Sequence, residues 1–435
     1  MAQLVERPGH IGKVGGSNPS EPTTMSKKII VSNTIYQIIG KLFTTVSTLL
    51  VTVFITRKLG AVTFGEFSIV LSYITPLFII CDFGVNAIVA KEFAKDKNAI
   101  YTHFKSALFL RIVISWGLIA LGLSILPFTP YSLVVKTSIL IGMLLVFTQA
   151  VFNGCNIIFQ TNSSYKFATY AQIISSVLAV LLVSISINYH LGLLYIVYSF
   201  VLANLSLAFI SYYTVRKYVT PRAKLVNLNY WKKTLTDSSP LGLALILNTF
   251  MVASDRLLLS FLATPTDVGI YSLAYKIFDG ILVVPTFMMN SAYPFLVKKL
   301  TASSADFKLS LNRLVKTLFG LSILISVVII LSGRFVISFI WGIEMVSAYY
   351  PLAVLVSGLF TFFLSSPYSW ALVVMEKQKR LPVFYGLGLI FNVVANLILI
   401  PQYGYMACAY ITILTEFIVL ILVYREVRIS NLLQN

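Results

Sequence analysis

Charge is what this 435-residue chain has least of: 11% of residues are Asp, Glu, Lys or Arg, against 58% hydrophobic residues. A soluble chain of this length could not hide so much apolar surface, so a water-soluble globular protein is excluded and a bilayer is called for. Acid is scarcer still, 15 Asp and Glu against 33 Lys and Arg. That excess of base does not mark a nucleic-acid binder, because it sits in short gaps between apolar runs and no zinc-finger spacing or basic coiled-coil region accompanies it. There are three cysteines, Cys81, Cys155 and Cys408, in or beside apolar runs and without CxxC spacing, which excludes a disulfide framework and leaves them as small packing residues. His10, His103 and His190 are scattered and assemble no metal site. No GxxxxGK[ST] loop is present, so ATP hydrolysis by that route is excluded, and no cofactor is implied. The gaps assigned below to the outer face hold few carboxylates, chiefly Glu66, Asp267 and Glu344, and no spaced pair for acid–base work, which argues against an enzyme.

Residues 1–24 are polar, rich in Gly, Pro and Ser, and lack the apolar stretch of a secretory signal. Met25-Ser-Lys-Lys before an apolar run is the more natural beginning, so 1–24 is expected to be a disordered, non-native extension. From Ile29 onward twelve apolar segments are each long enough to cross a hydrocarbon layer of about 30 Å as helices. Their cores lie at 32–55, 66–86, 105–126, 133–155, 167–187, 192–214, 240–262, 269–296, 313–333, 350–374, 383–400 and 405–424. Helices are expected because unpaired backbone groups are costly in lipid and the alternating pattern of a barrel is missing.

Lys and Arg then set the orientation. With the N-terminus inside, one side gathers nearly all of them, from Lys91 and Lys105 through Arg216 and Lys233 to Lys379 and Arg428, while the other shows Arg57, Lys58, Lys136 and Arg334. Both termini are therefore expected in the cytoplasm of a cell whose inner membrane holds the chain. The longest inner gap, 215–239, divides a first lobe at 25–214 from a second at 240–424, with 425–435 as a tail. Two internal echoes support that division. Gly65-Glu-Phe-Ser68 recurs as Gly269-Ile-Tyr-Ser272, and Gly192 with Tyr198 recurs as Gly404 with Tyr410. The offsets, about 204 and 212 residues, fit one six-helix duplication. The fold class expected is an all-α polytopic membrane protein, about twelve helices in two pseudo-symmetric six-helix lobes around a central cavity.

Charges inside the spans are expensive and point to a cavity, a partner charge or a substrate. Lys41 lies near the middle of the first span without an acidic neighbour in its own helix, and Arg111 lies two turns into the third. Asp255 and Arg256 precede the turn between the seventh and eighth spans, and Lys276 and Asp279 follow it at matching depth. Asp82 ends the second span, and Glu416 sits midway along the last. Two readings stand side by side for the four charges around that turn: a structural ion-pair cluster, or a functional site. In the functional reading Lys41, Arg111, Arg256 and Lys276 line a cavity for an anion such as a phosphate or diphosphate headgroup, and Asp255, Asp279 or Glu416 couples transport to an ion. Pro76, Pro285, Pro294, Pro351 and Pro367 lie in or beside spans and read either as static bends or as hinges.

SDRLLLSFLATPTDVGIYSLAYKI, from Ser254, resembles the seventh-to-eighth helix signature of the polysaccharide-transporter family, the O-antigen or lipid-linked oligosaccharide flippases. ITRKLGAVTFGEFS (55–68) with DFGVNAIVAKEFAK (82–95) is similar to that family's first-to-third helix pattern, and NLILIPQYGYMACAYITILTE (396–416) to its last two helices. The resemblance covers essentially Met25 to the C-terminus. It implies a member of the multidrug/oligosaccharidyl-lipid/polysaccharide exporter superfamily, carrying a polyprenyl-(di)phosphate-linked oligosaccharide from the inner to the outer leaflet by alternating access. It further implies membrane lipids, a polysaccharide polymerase and chain-length proteins as partners. The cavity residues are not carried over from the family; they rest on depth and charge. A multidrug exporter and a peptidoglycan-precursor flippase of the same fold are the alternatives. The absence of two further helices after Tyr424 counts against the second, and a membrane polymerase is the remote rival from another class.

Overall fold

The computed structural model describes residues 24–96, 98–162, 164–219 and 225–432. The expected extension thus lies outside the described residues except for Thr24, which opens the first helix. Fourteen α-helices and no strand are found among the described residues. They are α1 (Thr24–Asp82), α2 (Val85–Lys95), α3 (Asn98–Ile125), α4 (Leu133–Gly142), α5 (Leu144–Thr161), α6 (Tyr165–Asn188) and α7 (Leu193–Val215) in one half. The other half holds α8 (Leu228–Leu262), α9 (Pro265–Ala302), α10 (Ser304–Trp341), α11 (Tyr349–Ser357), α12 (Leu359–Val374), α13 (Leu381–Tyr403) and α14 (Tyr405–Leu432).

Among the described residues ten helices are long and apolar enough to cross a membrane, eleven if the bent α11–α12 pair counts as one span. The expected first span and most of the second fall within α1, which breaks at Gly60, where φ is 82° and ψ is 179°. Left-handed φ is open to glycine at little cost, and dividing α1 there turns eleven spans into twelve. Two spans differ from plain rods in matching ways. The fourth is interrupted between α4 and α5 at Met143, and the tenth is bent by 44° between α11 and α12 at Gly358.

The halves repeat one packing plan. In the first, α6 packs on α1 and α7, and α5 packs on α3 and α7. In the second, α13 packs on α8 and α14, and α12 packs on α10 and α14. The glycines of the first echo meet each other across the boundary between halves: a Cβ on Gly269 would lie 3.0 Å from the Gly65 Cα, and one on Gly65 would collide with the Pro265 carbonyl. The glycines of the second, Gly192 and Gly404, both take positive φ at a helix–helix turn. Duplicated positions therefore have duplicated structural roles.

At two boundaries helix runs past the apolar segments. The expected linker at 215–239 is helical from Leu228, because Asn227 caps α8 by accepting from the Tyr230 amide at 3.1 Å. Tyr230 and Trp231 then dock that extra-membrane turn onto the first half, Tyr230 donating to Glu92 at 3.0 Å and the Trp231 indole to Ser106 Oγ at 2.9 Å. Burial, aided by the Glu92 charge, pushes the Tyr230 phenol's pKa up, so it stays a donor. The expected tail, 425–435, likewise continues α14 to Leu432, with Lys377 donating to Ser430 at 2.7 Å. Hydropathy marks where lipid ends, and a helix need not stop there.

Candidate functional site

The α8–α9 hairpin positions the charges. Its turn is fixed by a capping box: Thr264 Oγ1 accepts from the Asp267 amide at 3.2 Å, the Asp267 carboxylate accepts from the Thr264 amide at 3.2 Å, and Pro265 occupies the first helical position. With the register set there, Arg256 on α8 faces Tyr275 on α9, its guanidinium 4.6 Å from the ring centroid. One residue on, Lys276 Nζ leaves the hairpin and donates to Thr52 Oγ1 on α1 at 2.8 Å. This contact joins the two halves inside the membrane.

Exposure changes sharply along both helices at this level. Between Lys276 and the turn, Tyr271, Leu273, Ala274 and Tyr275 on α9 are fully buried, as are Thr52, Ile55, Thr56 and Phe64 on α1. Beyond it the helices open, Asp279, Gly280, Val283 and Phe287 being exposed on α9, and Lys41, Leu42 and Val46 on α1. Asp279 is nonetheless acted on by the charges of Arg256, Asp255, Lys41 and Lys276. The α1 and α9 faces thus meet at the Gly65–Gly269 end and part below Lys276, while α8 stays packed on α1 and α2 toward its start, with Lys41, Arg256, Lys276 and Asp279 at and below the apex.

The ion-pair reading of the four hairpin charges is not what the structure has. Among the described residues neither Arg256 nor Lys276 forms an ion pair with Asp255 or Asp279. Three cations against Asp279 and the buried Asp255 still leave a positive excess, and in a low-dielectric setting such an excess favours an anion.

Arg111 is elsewhere. Its side chain is fully buried, donating to Asp82 Oδ1 at 2.9 Å and to Asn86 Oδ1 at 2.8 Å where α1, α2 and α3 meet. It therefore offers no open face to a ligand, which corrects its assignment to the cavity. Hydropathy puts Asp82 at the end of a span but hides the pairing, because Asp82 and Arg111 lie 29 residues apart.

Two of the three carboxylates are buried too. Asp255 accepts from the Tyr271 hydroxyl at 2.8 Å and from Thr412, with Oδ1 left unpartnered among the described residues. Glu416 accepts from Ser365. From the neighbouring Ser254 runs a separate polar network: Ser254 donates to Asn392 Oδ1 at 2.7 Å, and Asn396 Nδ2 donates to the same oxygen at 2.9 Å. Sequence pattern does not single out Asn392, Asn396, Thr412 or Thr52, because lone polar residues in apolar runs are common. Their charged neighbours are the stronger signal. Among the described residues no group of three His, Cys, Asp or Glu side chains could hold a metal ion.

Residues 30–299 match the polysaccharide biosynthesis protein family. The chain belongs to that family. No curated protein matches it. Solved structures share the fold at low identity. One described as the lipid II flippase MurJ, inward closed conformation, matches with a TM-score of 0.76 at 15% identity, covering 91% of this chain and 87% of that one. An inward-facing multidrug resistance MATE family transporter of the MOP superfamily matches at 0.73 and 13%, covering 92% and 98%. A MOP superfamily transporter from Pyrococcus furiosus, described as having a binding pocket of reverse polarity, matches at 0.62 and 15%, covering 93% and 96%. At such identities the likeness establishes the two-lobed transporter fold of a multi-pass membrane protein and nothing finer. Family and fold together make this a member of the polysaccharide biosynthesis protein family with the fold that those transporters share.

Proposed function

We propose that the chain is a flippase that carries a polyprenyl-(di)phosphate-linked oligosaccharide from the cytoplasmic to the outer leaflet by alternating access, for surface polysaccharide synthesis, without itself catalysing a covalent step. The observation that supports this most is the unpaired cation group at the apex between the halves. Lys41 comes from α1, Arg256 from α8 and Lys276 from α9. An anionic headgroup held by all three touches both halves, so its binding energy depends on their relative position, which is what a rocking transporter requires. Phosphate is suited to such a site because charge-assisted contacts offset its loss of water. The exposed faces of α1 and α9 below the apex would let a polyprenyl chain stay in lipid while the headgroup enters.

Orientation with both termini in the cytoplasm of an inner-membrane protein rests on the Lys and Arg bias. A polymerase and chain-length proteins are proposed to act on the delivered product. For energy coupling, Asp255, Asp279 and Glu416 are the carboxylates to consider. Asp255 is the best placed of them, with one free oxygen among the described residues beside the Tyr271 and Thr412 hydroxyls, where a proton or a sodium ion would exchange. Asp279 favours one competing reading, an exporter of cationic amphiphiles, since it is the carboxylate exposed at the apex.

The deciding experiment compares Lys41→Ala and Arg256→Ala at matched membrane levels in cells whose surface polysaccharide depends on this gene. Lipid-linked sugar should accumulate on the cytoplasmic leaflet. Unchanged surface polysaccharide would remove the cations from the mechanism, and loss of resistance to cationic drugs in Asp279→Asn cells would favour the exporter.

A further inference from the structure

A second concave site lies on the first half, and no residue of α1, α8 or α9 lines it. It is a groove of about 400 Å³ between α3, α5 and α7, within the size range of small-molecule sites. Its walls follow helical spacing: Lys105, Leu108, Phe109 and Ile112 down α3, and Tyr212, Phe209, Ala208 and Leu205 down α7. These helices are antiparallel, so Lys105 and Tyr212 stand at the end nearest the α7–α8 connection while Ile112 and Leu205 stand deeper. Lys105 to Ile112 is a descent of roughly 10 Å at 1.5 Å per residue.

Below its mouth the groove is wholly apolar. At the mouth it has a cation. Lys105 is half-buried and forms no hydrogen bond or ion pair among the described residues. Tyr212 is half-exposed beside it, and Arg216 and Lys217 follow on a turn that packs against α3. Lys105 is the eighth residue of a 31-residue candidate span. If a hydrocarbon layer of about 30 Å is centred on that span, Lys105 falls about 3 Å inside the layer's edge, from where its long side chain can snorkel to phosphate height. An apolar slot opening to lipid, with one unpaired cation at phosphate height, is complementary to an amphiphile with one negative charge.

We propose that this groove is a binding site for an anionic glycerophospholipid of the bilayer, its phosphate on Lys105 and the upper part of one acyl chain between Phe109, Phe147 and Phe209. The slot's depth suits part of an acyl chain within one leaflet. Its occupant has a lever on the protein: Phe109 also packs on Trp231 of α8, ring centroids 6.0 Å apart, so a chain against Phe109 bears on a contact between the halves.

The test is native mass spectrometry of the full chain released from detergent, after exchange with phosphatidylglycerol, phosphatidylethanolamine or polyprenyl phosphate. One phosphatidylglycerol should stay bound per chain, in preference to phosphatidylethanolamine. Lys105→Gln should cut that preference about fivefold, the weight of one basic residue at an anionic surface, while Lys105→Arg should keep it. Ala208→Phe, which fills the buried floor, should abolish retention of either lipid. Should that variant fail to fold, the Lys105 pair and the lipid panel decide alone. Equal retention of the two phospholipids, unaltered preference in Lys105→Gln, selective retention of polyprenyl phosphate, or a dimer lost on filling the groove would each overturn the assignment. Because Lys41 and Arg256 are not involved, failure here leaves the proposed transport site untouched, and their failure leaves this one.

Discussion

Two groups of cations lie inside the spans, and the fold treats them oppositely. Arg111 is fully buried, and its two terminal nitrogens are matched to Asp82 and Asn86. Lys41, Arg256 and Lys276 have an aromatic face, a threonine hydroxyl and open space, but no carboxylate in ion-pair contact among the described residues. A membrane protein that pairs a buried guanidinium with a carboxylate in one place, leaving only the Arg111 Nε without a partner among the described residues, has not done so in another, at a cost that folding alone does not reward. Compensation, rather than depth, separates the structural cation from the candidates for substrate binding.

The comparison breaks most visibly at Asp82. Asp82→Ala strands a buried guanidinium and should destabilise the first half by about 3–5 kcal/mol. Folded protein in membranes, followed by fluorescence-detected size exclusion, should fall severely. Next in size are Arg256→Ala and Lys41→Ala, which should leave that folded fraction intact. Each removes a charge-assisted contact of roughly 1.5–3 kcal/mol to an anion, so binding of a polyprenyl-diphosphate sugar to purified protein should weaken tenfold or more. If Arg256→Ala instead unfolds the chain as Asp82→Ala does, the distinction collapses.

Smaller effects sharpen the boundary. Thr52→Val takes the hydroxyl from Lys276 and should cost about 0.5–1.5 kcal/mol, read as a modest rise in transport KM with abundance unchanged. Smallest is the double replacement Asp82→Leu with Arg111→Met. Exchanging both partners of a buried pair for apolar groups is often neutral, so thermal stability in detergent should return to within about 1.5 kcal/mol of the parent. A transport defect in that stable double variant would show that Arg111 does more than hold α1, α2 and α3 together.

Much of the molecule is legible in the chain itself. Apolar runs of bilayer length give helices because lipid leaves the backbone no other way to satisfy its hydrogen bonds. The TPTD turn sets the register of the α8–α9 hairpin, so local spacing alone puts Arg256 and Lys276 at one depth. The echo glycines announce a duplication, and Gly65 and Gly269 meet at the boundary between the halves. The helix start at Leu228 and the run of helix as far as Leu432 escape such a reading, since hydropathy records the lipid boundary and not the hydrogen-bond ladder.

What the sequence alone determined, then, is the class, the duplicated plan and the short inventory of intramembrane charges, because each depends on composition, on neighbours within a few turns or on a pattern that recurs along the chain. Which charges are paired, which carboxylates are buried and which cations face the gap between halves was decided only in three dimensions. Asp82 meets Arg111, Thr52 meets Lys276 and Asp255 meets Thr412 across 29, 224 and 157 residues. Local spacing carries no record of contacts at such separations, and compensation of charge is a property of those contacts alone.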